Sequence, residues 1–293
     1  MAASMNLLAF DTSTEHLSVA VQRADGRRWR HQGPGGAQAS AALIPAVQAL
    51  LAQAGLTLGE LRAIVFGCGP GSFTGLRTAC SVAQGLAFGT ARCGGCKKAE
   101  AVAPSSIGGW LGWGPAAAPL ATVASPHPCL PPKGEGANLY GDEGVPVLPV
   151  DTLLAVAEAA RQSHGAARVL ALLDARMGEL YSAAYAHDAA TGWRALGEIA
   201  VGPPEALVVP PQSVADGDWV LAGNAFGPDY ADRLPSALRD WRRVDALPTA
   251  DALLDLAPAL LAAGHAVPAE QALPLYIRDK VAQTTAERAA AAR

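Results

Sequence analysis

Two stretches of this 293-residue chain repeat one unit. Leu7 to Phe10 is an apolar run closed by Asp11; the polar turn Thr12 to His16 follows, and then Leu17 to Val21. Val169 to Leu173 is likewise closed by Asp174, with a turn over Ala175 to Glu179 and a second run over Leu180 to Tyr185. Short apolar runs on either side of a polar turn read as strand, turn, strand. Setting Asp11 on Asp174 brings Leu17 onto Leu180 and Ala20 onto Ala183 without a gap. A chain whose two halves open with the same unit is predicted to fold as two related α/β lobes. The length suits about two domains, and 51% hydrophobic against 16% charged residues supplies a substantial core.

The stretch between the units predicts further α/β structure. Ser40 to Ala54 reads as a helix with Ser40 as its N-cap, and Leu61 to Phe66 as a strand. Gly67 to Gly75 reads as a glycine-rich turn, and Leu76 to Phe88 and Asp151 to Gln162 as helices. The segment 90–144 fits neither period: it holds seven of the chain's prolines, from Pro104 to Pro132, and three of its five cysteines. Without it, Gly85 to Gly89 would run straight into the apolar Val145 to Val150, an ordinary helix–turn–strand joint. The expected division is therefore 1–89 plus 145–165 as a first lobe, 90–144 as a poorly ordered insertion, and 166–293 as a second lobe.

Charge excludes some classes of function. The net charge is −4 and the pI about 5.9. Contiguous basic residues come only in pairs such as Arg27-Arg28 and Lys97-Lys98, so the chain lacks the basic face of a protein that grips a phosphate backbone unaided. Met1 to Asn6 has no signal-peptide pattern. Gln32 to Gly59 is uncharged, but four Gln and five Gly make it a poor spanning helix, so no membrane is expected. Five cysteines without a secretory signal suit a reducing, cytoplasmic location.

Four motifs could carry chemistry. The loop from Gly67 to Arg77 lies between a predicted strand and helix. It is neither a P-loop nor the dinucleotide fingerprint. It reads as a structural turn, or as an anion or nucleotide contact through Asp11, Gly69, Gly71, Ser72, Thr74, Gly75 and Arg77. In the charge-free helix, Leu43, Val47, Leu50, Leu51 and Ala54 form one apolar stripe; Ala41, Ala42, Ala46, Ala49 and Ala52 lie opposite. Such a helix is either buried on both faces or packed on its own core and on a partner. Cys93-x-x-Cys96 with His127 and Cys129 departs from zinc spacing, no His pair stands four apart, and no G-x-S-x-G occurs. No metal site and no serine nucleophile are expected. Asp11 and Asp174, each at a strand end, could orient a cation and phosphate or accept turn amides.

Leu8-Ala9-Phe10-Asp11-Thr12-Ser13-Thr14 resembles the opening of the TsaB (YeaZ) family. Gly69 to Arg77 is similar to its most characteristic stretch, Leu173 to Tyr181 to its second signature, and Pro274 to Arg278 to its C-terminal tyrosine–arginine segment. The likeness covers about 5–89 and 145–281 and fails across 90–144. The resemblance implies an actin-like, Hsp70/sugar-kinase-like (ASKHA) fold of two related lobes. It implies a non-catalytic subunit for N6-threonylcarbamoyladenosine modification of tRNA next to the anticodon, partnered by a catalytic TsaD-like subunit and a TsaE-like ATPase. TsaD carries two histidines four apart on a helix; Ser40 to Ala54 has none. The family's subunit interface falls on this helix, which points to Leu43, Ile44, Val47, Leu50 and Leu51. No cofactor is implied for this chain alone; a nucleotide, ATP or ADP, at the partner interface and a homodimer in isolation stay open, and tRNA is met only through the complex. Two rivals are an ATP-hydrolysing enzyme on the same fold and a glycoprotease-like metallopeptidase.

Overall fold

The computed structural model describes residues 5–90, 144–210 and 218–277. The body of the expected insertion, with Cys93, Cys96, His127 and Cys129, lies outside the described residues.

Both halves build the same sheet. In the first, β1 (Leu7–Asp11), β2 (His16–Gln22), β3 (Arg28–Pro34), β4 (Ala63–Gly69) and β5 (Val147–Asp151) lie in the order β3-β2-β1-β4-β5. In the second, β6 (Arg168–Asp174), β7 (Leu180–Asp188), β8 (Gly192–Ala195), β10 (Trp219–Gly223) and β11 (Arg242–Asp245) lie in the order β11-β10-β6-β7-β8. Read from the opposite edge this is the same sequence of positions, with antiparallel hairpins on one side and parallel strands on the other. A short β9 (Ala200–Gly202) pairs additionally with β7. The duplication read from the sequence is thus present, but its gapless alignment is not. Phe10 faces Val19, whereas Leu173 faces Tyr181, so the second turn is one residue shorter. A one-residue slip exchanges the two faces of a strand. Tyr181 and Ala183 accordingly join the cluster of Val169 and Ala171, while Leu180 packs on the other side of its sheet.

Helices fill three layers. α1 (Ala39–Ala54) and α2 (Phe73–Phe88) cover the outer face of the first sheet. α3 (Thr152–His164) and α6 (Ala250–Ala262) lie between the sheets: α6 packs on Leu7, Ala9 and Val65, and α3 on Val169 and Ala171. The short α4 (Pro228–Ala231) and α5 (Ser236–Arg239) cap the far face of the second sheet beside Leu234 and Leu238. The ends of these helices follow local chemistry. Asp151 accepts the Leu153 amide at 2.8 Å and caps α3, and Thr249 accepts the Ala252 amide at 3.2 Å and caps α6. Gly55, at φ 65°, closes α1 in the left-handed region. Ser40 is not the N-cap of α1; the helix starts one residue earlier, and Ser40 Oγ donates to the Ala37 carbonyl instead.

The Val145 amide donates to Thr90 Oγ1 at 2.7 Å, so the two ends of the long segment stand side by side, as the helix–turn–strand joint requires. The chain after 166 does not stay in the second lobe. α6 returns to the first sheet, and Val267 bridges antiparallel to Val147. The stretch Gly36–Ala54 is long and apolar enough to cross a membrane by length and composition, but one stripe of it is packed into the first lobe's core.

Candidate functional site

The repeated unit forms the same turn twice. Asp11 Oδ1 accepts the Ser13 amide at 2.9 Å and its hydroxyl at 2.8 Å. Asp174 Oδ1 accepts the Arg176 amide at 2.6 Å and the Tyr230 hydroxyl at 2.6 Å. An aspartate bonding the amide two residues on is an Asx-turn, the turn-capping role weighed from the sequence. The two turns face each other across a cleft of about 450 Å³ between the lobes, lined in part by Ser13, Gly71, Phe73, Asp174 and Tyr276. Arg176 spans it and pairs with Glu15 of the first turn. To do so the second turn holds Arg176 at φ 63° and Met177 at φ 58°, a left-handed conformation uncommon outside glycine.

The glycine loop is packed against its own chain. A Cβ on Gly67 would overlap Asp11 Oδ2, one on Gly75 the Thr12 carbonyl, and one on Gly69 the Leu275 carbonyl. Ser72 donates its amide to the Ser13 carbonyl at 2.7 Å. Asp11 is wholly buried, and among the described residues its Oδ2 has no hydrogen-bond partner. Burial pushes its carboxyl up to about 7, partly offset by the bonds from the Ser13 hydroxyl and amide. Asp11, Gly69 and Gly75 are buried in this packing, which favours the structural-turn side of the two readings at these three positions. Gly71 lines the cleft, and Ser72, Thr74 and Arg77 remain exposed at the start of α2.

The α1 helix buries the apolar stripe named from the sequence. Leu43, Val47, Leu50 and Leu51 are buried among Leu8, Leu17, Val19 and Phe66 of the chain's own core. They are the inward stripe, and burying each is worth about 2 kcal/mol to the fold. Of the five expected interface residues only Ile44 faces outward, 42% exposed. Its neighbours on that side are Ala41, Pro45, Gln48, Ala49 and Ala52, all exposed and uncharged. Beside them Arg77, a contact candidate from the sequence, joins Phe73 and Tyr276 in a cluster that the sequence did not bring together. The Arg77 guanidinium lies 3.8 Å over the Phe73 ring, and its Nε donates to the Tyr276 hydroxyl at 3.1 Å. Phe73 and Tyr276 stand 5.4 Å apart, and both rings are nearly half exposed. Their signal was aromatic character in a chain only 5% aromatic, but nothing local brings residues 73 and 276 together. Among the described residues no three His, Cys, Asp or Glu side chains gather as a metal-holding group.

Two lobes of identical strand order, stacked on shared helices and meeting at paired aspartate turns, define a protein of the actin-like, Hsp70/sugar-kinase-like class. Residues 34–92 match the family model described as TsaD, tRNA N6-adenosine threonylcarbamoyltransferase. The tRNA threonylcarbamoyladenosine biosynthesis protein TsaB of Escherichia coli is 32% identical, covering 95% of this chain and 96% of that one. Its Haemophilus influenzae namesake is 28% identical over 95% of each. The solved structure of YeaZ from Pseudomonas aeruginosa superposes with a TM-score of 0.67 at 35% identity, over 93% of this chain and 99% of the other. The chain belongs to the TsaB (YeaZ) family.

Proposed function

We propose that this chain is a non-catalytic, cytoplasmic subunit that docks a TsaD-like transferase for N6-threonylcarbamoyladenosine modification of tRNA next to the anticodon. The observation that carries this reading is the outer face of α1 and α2. Sixteen residues of α1 include no charged side chain, although one full side of the helix meets solvent. A helix face without charge, carrying Ile44 and bordered by an aromatic–arginine cluster, has the charge depletion of an interface core and residues of the hot-spot type. Ile44, rather than the buried Val47, is the apolar anchor on α1. The exposed Ser72, Thr74 and Arg77 at the start of α2 border the same face, and they are the positions that would meet a nucleotide held between the subunits. The acidic net charge supports tRNA contact through the complex rather than through this chain alone. A TsaE-like ATPase completes the set of partners, and in isolation the same face would support a homodimer.

The test is co-expression with the TsaD-like protein of the same organism, followed by pull-down and assay of the modified nucleoside. Ile44→Arg and Ala49→Arg place an unpaired cation in the proposed interface and should abolish co-purification while the isolated chain keeps its wild-type melting temperature. Full co-purification of both variants would overturn the assignment. Modification of tRNA by the isolated chain would overturn the non-catalytic role.

A further inference from the structure

The last described residues, Leu273–Ile277, do not finish on the lobe in which the chain has been running. Ahead of them the Ala272 carbonyl accepts from Cys80 Sγ at 3.1 Å and from Gln84 Nε2 at 2.9 Å, which fixes the segment under α2. Leu275 then donates its amide to the Cys68 carbonyl at 2.7 Å, at the end of β4 in the first sheet. Its own carbonyl passes so close to Gly69, held at φ 129°, that no side chain fits there. Tyr276 is held by Phe73 and Arg77 of α2. One residue later Ile277 packs on the core of the second lobe, beside the cluster of Ala171, Leu173 and Tyr181. Three consecutive residues therefore touch the first sheet, α2 and the second lobe in turn, and all three line the inter-lobe cleft.

We infer that this segment is a strap that sets the angle between the lobes, with Tyr276 as its outer fastening and the Glu15–Arg176 pair as the tie at the opposite rim. The argument is geometric. The exposed pair across the rim is weak by itself, since solvent screens it. The strap has more to hold it, because the Leu275 amide bonds the Cys68 carbonyl at one end and Ile277 packs on the second lobe's core at the other. The glycine at 69 acquires a specific role: it lets the strap lie against β4, rather than letting a phosphate approach. Because Tyr276 sits beside the α1–α2 face, a ligand or partner that displaces its ring would also release the cleft; opening of the cleft and displacement of the ring are then one linked equilibrium.

Hydrogen exchange on the full-length protein tests this. Tyr276→Ala removes the outer fastening, and Leu275→Pro removes the amide that bonds Cys68. Exchange at the cleft turns, 13–15 and 174–178, should rise about tenfold in both variants while amides within β1 and β6 keep wild-type rates, as expected for a local opening. Unchanged exchange at the two turns would overturn the inference. Equal loosening of β1 and β6 would also overturn it, because the strap would then be part of a lobe's core and not a coupling between lobes. If Leu275→Pro does not accumulate as folded protein, Tyr276→Ala decides, since its half-exposed ring can be removed without opening a core.

Discussion

Oδ2 of Asp11 occupies the space in which any residue other than glycine at position 67 would carry its Cβ. The carboxylate end of the first Asx-turn is thereby buried between β1 and β4, and among the described residues one of its oxygens has no hydrogen-bond partner. Gly67→Ala should destabilise the protein by about 2 kcal/mol through overpacking, read from the urea midpoint. Combining it with Asp11→Gly should cost less than the sum of the two single changes, since the residues touch.

Burial also gives Asp11 a pH signature. Its carboxyl is raised from 3.8 in the unfolded chain to about 7 in the fold. The folded state therefore binds the proton more tightly. The associated stability is fully present below pH 3.8 and is lost as pH rises through 7, with a limiting slope of about 1.4 kcal/mol per pH unit. Asp151, also pushed up by burial, slopes the same way. Asp11→Asn should reduce the loss of melting temperature between pH 5 and 8, and at pH 8 should melt at or above wild type.

Val47 and Ile44 separate folding from docking. Val47→Ala should cost about 2 kcal/mol by opening a cavity beneath α1. Ile44→Ala should change stability by less than about 0.5 kcal/mol, because its side chain is partly in water. Chemical denaturation of both variants checks the pair.

Glu158 holds α3 to β8. It accepts from Arg161 Nε and Nη2 at 2.7 and 2.6 Å and from Trp193 Nε1 at 2.7 Å. Burial pushes its carboxyl up, but the bonds from Arg161 and Trp193 together hold it below the usual value. Its stabilising contribution is therefore present above pH 4.5 and lost as pH falls further. Glu158→Ala should cost about 3 kcal/mol, since it strands Arg161 and Trp193, and Glu158→Gln should restore part of that. Acid and urea unfolding curves measure both.

The repeat of Asp11 and Asp174 was legible because each strand–Asp–turn unit is local in sequence: apolar run, aspartate, turn, apolar run. The same locality made α1, the glycine turn and the joint around 90–144 readable. What one sequence does not carry is which side of an uncharged helix faces inward. With no charge anywhere on α1, alanines and leucines both satisfy a buried face; only the position of Phe66 and Val19 beneath it assigns Val47 to the core and Ile44 to the surface.

The family was likewise written in contiguous signatures, and the duplicated sheets follow from them. Tertiary structure alone decided the one-residue difference between the two turns, since register is fixed by which face each strand buries. It alone brought residue 275 against 69 and residue 276 against 73 and 77, contacts between segments some two hundred positions apart. Glycine in the 67–75 loop could be read as room for a ligand; the folded chain fills that room with its own carbonyl and carboxylate oxygens.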